Sequence, residues 1–179
     1  MRAGAGGAGP AQALRWPPMK ARHCLQCGTL LAPFHDGERE RLRCTSESCR
    51  WIFYGNPTPV VAALVEHEGH IVLVRNPGWP PKFYGLVTGF LEANETPEAG
   101  VLRELQEELG LEGEVASLIG VYSFEMRNEV IAAYHVRAHG TIVVGAELED
   151  TKRVPPDKLR PWPGGTGLAV RDWLARRNG

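Results

Sequence analysis

The sequence predicts an α/β fold with a small cysteine-bearing module in front of it. Three observations predict this. From Val60 onward, apolar runs rich in β-branched residues alternate with turn signals, the pattern of strands. Between Thr96 and Gly110, leucines instead recur at helical spacing. All four cysteines lie before Tyr54, apart from both periodic patterns.

A chain of 179 residues suffices for one buried core and a small appendage, not for two full domains. A hydrophobic content of 43% excludes disorder throughout. The formal net charge of −1 gives no general attraction to nucleic acid or acidic membrane. No apolar run approaches the length needed to span a bilayer, so no membrane partner is expected. Residues 1–18 are rich in Gly, Ala and Pro and lack the apolar stretch of a secretory signal. Their two arginines without an acid resemble an organelle transit segment only faintly. The simpler reading is a disordered tail, or a start at Met19. Three segments follow: a tail at 1–18, the cysteine module at 19–54, and a single α/β unit at 55–179. The expected location is cytoplasmic.

Within the α/β unit, Val60–Glu66 and Ile71–Val74 flank His67-Glu68-Gly69-His70 and read as a β-hairpin. Asn76 to Pro81 is a stiff Pro/Gly loop. Phe83–Val87 reads as a short strand running into Gly89. Thr96 caps a helix and Pro97 suits its first position. Leu102, Leu105 and Leu109 then face the core, and Gly110 stops the helix. Further strands are expected at Ala116–Tyr122, Val130–Val136 and Thr141–Val144. A last helix begins near Thr166 and carries Leu168, Val170, Trp173 and Leu174.

The first helix also carries the chemistry. Glu104, Glu107 and Glu108 are three and four residues apart, which sets them on one helical face. Like charges at these spacings destabilise a helix unless something neutralises them. A divalent cation does so, and carboxylate oxygens are the ligands Mg²⁺ and Mn²⁺ prefer. The alternative is a solvated acidic face paired with Arg103. The surrounding spacing decides between the two. Gly89 is followed, after five residues, by Glu95, and after seven more by Arg103-Glu104-Leu105-x-Glu107-Glu108-x-Gly110-Leu111. Nine specified positions with fixed gaps make a far sharper signal than a short motif.

This pattern resembles the Nudix box, and from about Gly55 the chain resembles the Nudix hydrolase family. The resemblance implies an α/β/α sandwich on a mixed sheet, with the box as loop–helix–loop. It implies that Glu104, Glu107 and Glu108 bind Mg²⁺ or Mn²⁺. It further implies that Arg103 holds the acidic cluster, that Glu95 supports the box, and that the Thr88 carbonyl is an additional ligand. The implied reaction is hydrolysis of a pyrophosphate linkage by an activated water, without a covalent intermediate. The family often adds an acid from outside the box. Glu147, Glu149 and Asp150 are the candidates, with Glu125 and Glu129 as rivals.

Cys24-Leu-Gln-Cys27 and Cys44-Thr-Ser-Glu-Ser-Cys49 are pairs in short turns, suited to a structural Zn²⁺ held by four thiolates. A disulfide framework is the alternative, and nothing marks the chain as secreted. A zinc ribbon ahead of a Nudix domain resembles the branch that includes NADH pyrophosphatases and enzymes for ADP-ribose or FAD. Dimers are frequent there, which implies a homodimer. NADH pyrophosphatases carry an S-Q-P-W-P-F-P-x-S element after the box, whereas this chain has Tyr122 to Asn128 in that region. Tyr84 and Val87 likewise stand where relatives have Trp and Pro. Trp79, Phe83 and Tyr84 are candidates to stack on a base, or are core aromatics.

The expected function is a metal-dependent hydrolase splitting a nucleoside diphosphate conjugate into two monophosphates. The alternatives are a catalytically silent nucleotide sensor or ribbon-based binding module, and an enzyme removing a nucleotide cap from RNA. Around the ribbon, Lys20, Arg22, Arg39, Arg41, Arg43 and Arg50 are interleaved with Asp36, Glu38, Glu40 and Glu47, which argues against a basic stripe for nucleic acid there.

Overall fold

In the computed structural model residues 21–177 are described. The tail expected at 1–18 lies outside them. The chain divides into two compact units, Met1–Tyr54 and Gly55–Gly179.

In the first unit, strands β1 (Leu31–His35), β2 (Glu40–Cys44) and β3 (Ile52–Phe53) form an antiparallel sheet in that order. The β1–β2 turn is fixed by Asp36, whose Oδ1 accepts from the Glu38 and Arg39 amides at 2.9 and 2.8 Å. Its other oxygen meets Arg41 Nε at 2.9 Å. A second tight turn folds Cys24 to Thr29. It needs Gly28 at φ 74°, and the Gly28 amide donates to the Cys24 carbonyl at 2.8 Å.

The second unit is built on six strands and two helices. They are β4 (Thr58–His67), β5 (His70–Arg75), β6 (Val87–Phe90), α1 (Pro97–Leu109), β7 (Glu112–Phe124), β8 (Glu129–His139), β9 (Asp150–Val154) and α2 (Gly167–Arg177). Strand order is β7-β8-β4-β5-β9, with β6 also pairing β4. β4 and β8 run parallel over ten residue pairs, while the other ladders are antiparallel, so the sheet is mixed. β4 is central and buried on both faces, which is why it reads as a near-continuous apolar run. Its alternate residues feed two cores. Val60, Ala62 and Leu64 join Leu159, Val170 and Trp173 beneath α2. Val61, Ala63 and Val65 join Val101, Leu105 and Leu109 beneath α1. This is the α/β/α sandwich that the sequence implied. The β4–β5 hairpin turns through Glu68 and Gly69, both at positive φ, as a two-residue hairpin turn requires.

Three expected strands differ. The strand expected at Phe83–Val87 lies instead at Val87–Phe90. Before it, Gly85 makes only an isolated bridge with Val74, and the Trp79 ring occupies the space where a Gly85 side chain would stand. No strand forms at Thr141–Val144. Its amides are used elsewhere: Val143 and Gly145 donate to the Leu109 and Glu108 carbonyls, each at 2.8 Å. They satisfy acceptors left open at the end of α1. The strand that does pair with β5 is β9, whose charged Asp150-Thr-Lys-Arg-Val hid its β character. β7 also exceeds expectation, with two register shifts that bend it along β8.

Candidate active site and metal-binding residues

Helix α1 is set by its ends and by one face. Thr96 Oγ1 accepts from the Ala99 amide at 3.2 Å, and Gly110 closes the helix in the left-handed conformation. Val101, Leu105 and Leu109 are fully buried on the sheet, whereas Leu102 lies only at the margin of that core. Glu104 and Glu108 are not on an outer, solvated face. They are 9% and 4% exposed, wedged where α1 meets β6 and the 141–148 loop. Glu107, between them, is exposed.

Gly89 explains the wedge. A Cβ on it would lie 1.9 Å from the Glu104 carboxylate, so only glycine admits that group against β6. Thr88 directly precedes it, opposite Ala62 of β4. Arg103 organises the rest. Its Nε and Nη2 grip both oxygens of Glu95 at 2.9 and 3.0 Å. Its Nη1 reaches Glu104 at 2.7 Å and Glu107 at 3.0 Å. Nη2 also donates to the Phe90 carbonyl at 3.0 Å. The bidentate contact fixes geometry as well as charge. It ties the loop before α1 to the helix and holds the Glu95 carboxyl below its usual range. Gly100 makes room, since a Cβ there would lie 2.8 Å from Glu95 Oε2.

Burial raises the Glu104 carboxyl despite Arg103 beside it. Burial, then the charges of Glu104, Glu147 and Glu107, pushes Glu108 up to about 8. Glu108 Oε2 is buried and has no hydrogen-bond partner. A buried carboxylate oxygen without a partner is costly. An all-oxygen donor set with surplus negative charge fits a hard divalent cation, which removes that cost. The α1 carboxylates share a face without converging as tightly as the thiols described below.

Of the three acids expected outside the box, Glu147 is the one whose charge acts on Glu104 and Glu108. Gly145 sets the path of its loop: a Cβ there would lie 2.4 Å from the Glu107 carbonyl. Nothing in the local sequence marks that glycine, because its constraint comes from α1. Glu149 is engaged by Arg75, and Asp150 accepts from the Tyr84 hydroxyl. The rivals lie elsewhere. Glu129 pairs with Arg127 at 3.4 Å, in register with Thr58 and on the face of Ile131, under α2. Glu125 is exposed in the turn before β8.

Trp79 and Phe83 stack edge to face with centroids 5.0 Å apart. Phe83 meets Trp162 in the same way at 6.1 Å, an aromatic that no local sequence pattern ties to this group. Tyr84 packs on the α2-side core and is flanked by Arg75 and Lys152, so it serves packing as well as any ligand.

In the first unit, the sulfurs of Cys24, Cys27, Cys44 and Cys49 all lie within 4.8 Å of one another, and all four are free thiols. Cys24–Cys49 and Cys27–Cys44 approach to 3.8 and 3.5 Å, far beyond a disulfide bond. The quartet can bind a metal.

The NUDIX domain model matches residues 56–173. The chain belongs to the NUDIX family. It is 31% identical over 163 residues to an NAD-capped RNA hydrolase NudC of Pseudomonas aeruginosa, covering 88% of this chain and 57% of that protein. Its counterpart in Vibrio vulnificus is 29% identical over 142 residues, covering 78% and 53%. The chain thus spans little more than half the length of these relatives. A NUDIX hydrolase structure from Nitrosomonas europaea superposes with a TM-score of 0.73 at 24% identity, over 88% of this chain and 93% of that one. An ADP-ribose pyrophosphatase from Streptococcus suis gives 0.57 at 18% identity, over 69% and 94%. At these identities the structures speak for the NUDIX fold alone. Among the described residues no helix is long and apolar enough to cross a membrane.

Proposed function

We propose that this NUDIX protein is a divalent-metal-dependent pyrophosphohydrolase. Its substrate would be a nucleoside diphosphate joined to another group, free or carried at the end of an RNA. The observation that carries the reading is the buried, unpartnered Glu108 beside the buried Glu104. Such an arrangement costs stability without a cation and gains a purpose with one.

Glu104, Glu107 and Glu108, with the Thr88 carbonyl, would hold Mg²⁺ or Mn²⁺. The bound ion would neutralise the pyrophosphate and lower the pKa of the attacking water. Arg103 keeps Glu104 and Glu107 aimed by holding one edge of each, and Glu95 anchors Arg103. A carboxylate not taken up by the ion would complete deprotonation of that water, and Glu147, whose charge acts on Glu104 and Glu108, is the candidate for that role. Trp79 and Phe83, with Trp162, would offer a flat surface to a nucleobase, and Tyr84 would border it. The four cysteines would hold one structural Zn²⁺, since four thiolates leave no position for water. The chain would then comprise a tail at 1–18, a zinc ribbon at 19–54 and the hydrolase domain at 55–179. A homodimer in the cytoplasm belongs to the same reading.

Relatives named NAD-capped RNA hydrolase support the NAD type of conjugate, in free form or on RNA. The missing post-box element keeps ADP-ribose and FAD beside it. The test is a hydrolysis screen of NADH, NAD⁺, ADP-ribose, FAD, an NAD-capped RNA, diadenosine polyphosphates and nucleoside triphosphates, with Mg²⁺ or Mn²⁺. Two monophosphates, formed from a conjugate in preference to any triphosphate, are expected. A tenfold preference for triphosphates, about 1.4 kcal/mol in the transition state, would overturn the substrate class. Full activity after verified metal removal would overturn the mechanism.

A further inference from the structure

The surface made by the last strand, turn and helix is charged unlike the rest of the chain. Residues 151–177 contain seven Lys or Arg and two Asp, a net +5, which leaves −6 for the remainder. Arg153 is paired with Glu68 and Arg171 with Asp172. Lys152, Lys158, Arg160, Arg176 and Arg177 have no carboxylate partner among the described residues.

Two of these free cations meet at a cavity of about 320 Å³ between the Pro156–Lys158 turn and the end of α2. Pro156, Pro161 and Leu174 form apolar wall, Arg160 and Arg177 bring the cations, and Asp157 is the one acid. Lys158 adjoins it in the chain. The Arg160 guanidinium is fixed by Nη1, which donates to the Asp157 and Leu159 carbonyls, both at 2.8 Å. Its other nitrogens have no partner among the described residues. The Arg177 guanidinium lies over the Trp173 ring, 5.4 Å from its centroid. Oriented guanidinium planes beside an apolar wall suit a base stacked on one and a phosphate held by the other.

The cavity is not part of the carboxylate site. Leu159, Leu174 and Trp173 belong to the core under α2, on the opposite side of the sheet from α1. The two places are nevertheless joined by one short element. β9 leads from Asp150, next to the loop that carries Glu147, to Val154, next to the basic turn. Five residues of strand span roughly 17 Å, and the unpaired Lys152 sits midway. A chain of nucleotides, with a phosphate repeated at every residue, can engage both places at once.

We propose that this C-terminal basic surface binds the single-stranded RNA body of a substrate whose terminal pyrophosphate lies at the α1 carboxylates. The inference rests on the pyrophosphohydrolase reading for the chemistry, but the binding can be measured without it. Anisotropy of a fluorescent single-stranded RNA bearing a 5′-monophosphate, without added Mg²⁺ or Mn²⁺, reads binding alone, because that RNA carries no pyrophosphate to cleave. Two double variants are compared with the wild-type chain: Lys158→Glu with Arg177→Glu, and Arg160→Gln with Arg177→Gln. The first leaves the Arg160 backbone contacts intact. With circular dichroism unchanged, RNA affinity should fall about tenfold or more in each. The slope of log affinity against log salt should shrink by about 0.7 for each phosphate that the variant no longer neutralises. With Mg²⁺, the best free dinucleotide of the screen should be cleaved by the variants within about twofold of the wild-type rate, while kcat/KM for its RNA-linked form should fall about tenfold. Unchanged RNA affinity in folded variants overturns the proposal. So does loss of binding to phosphatidylserine vesicles with RNA affinity intact, which would assign the surface to a membrane. If the wild-type chain cleaves no conjugate, the enzyme reading fails, and the anisotropy still decides whether RNA binds here.

Discussion

Glu108 joins three properties in one side chain: deep burial, an oxygen without a partner, and a carboxyl pushed up to about 8. Glu108→Gln keeps the shape and removes the charge. We expect kcat/KM for the preferred conjugate to fall about 100-fold or more, with circular dichroism unchanged. A loss below threefold would remove Glu108 from the chemistry. At Gly89 the constraint is space. Gly89→Ala places a methyl carbon on the Glu104 carboxylate, so Glu104 must leave or β6 must move. The expected cost is about 1–3 kcal/mol of stability together with loss of metal-dependent activity, checked by thermal melts and by assay. That these acids fall on one helix at fixed spacing was legible at this scale. Their burial was not legible. Glu104 and Glu108 directly precede Leu105 and Leu109, and helical spacing alone does not show that neighbouring elements close over the flank that they occupy.

The loop and helix of the box act as one part because Arg103 clips them together. Glu95 receives both arms of that guanidinium and the Glu92 amide. Its carboxyl titrates below the ordinary 4.5 of a glutamate, held down chiefly by Arg103. The stabilisation is therefore fully present above that ordinary value and is lost as pH falls through the lowered one. Glu95→Gln should destabilise the protein at neutral pH and should flatten the acid limb of stability against pH. Urea titrations at several pH values below and above 4.5 check this, and parallel curves for the two proteins would contradict it. The hairpin, both helices and the cores of β7 and β8 were readable from periodicity and caps. The misread elements share one cause, in that tertiary partners overrode local pattern. Thr141 to Val144 looks like a strand, yet the end of α1 recruits amides from Val143 and Gly145. The polar β9 pairs because β5 offers it an edge.

At the scale of the whole molecule, the thiol quartet and the carboxylate site lie in different units, so they should fail separately. Cys44→Ser should reduce bound zinc below one per chain and lower the melting temperature of the ribbon. Elemental analysis and differential scanning calorimetry are the measurements. Zinc retained at one per chain would exclude Cys44 as a ligand. The parallel ladder of β4 and β8 has a kinetic consequence. Each of its ten pairs joins residues 71 apart in sequence, and Gly89, Arg103, Glu104 and Glu108 all lie between the strands it brings together. Such long-range parallel pairing closes late and slowly. During synthesis or refolding, α1 should have its caps and its acids well before the 141–148 loop, which follows β8, reaches the Glu108 carbonyl. Stopped-flow refolding should therefore show early helical signal, with Mn²⁺ binding gained only in the final phase. Until that ladder closes, Glu147 and its loop have not been brought beside Glu108, and a ribosome-bound fragment ending before Glu129 should hydrolyse no conjugate.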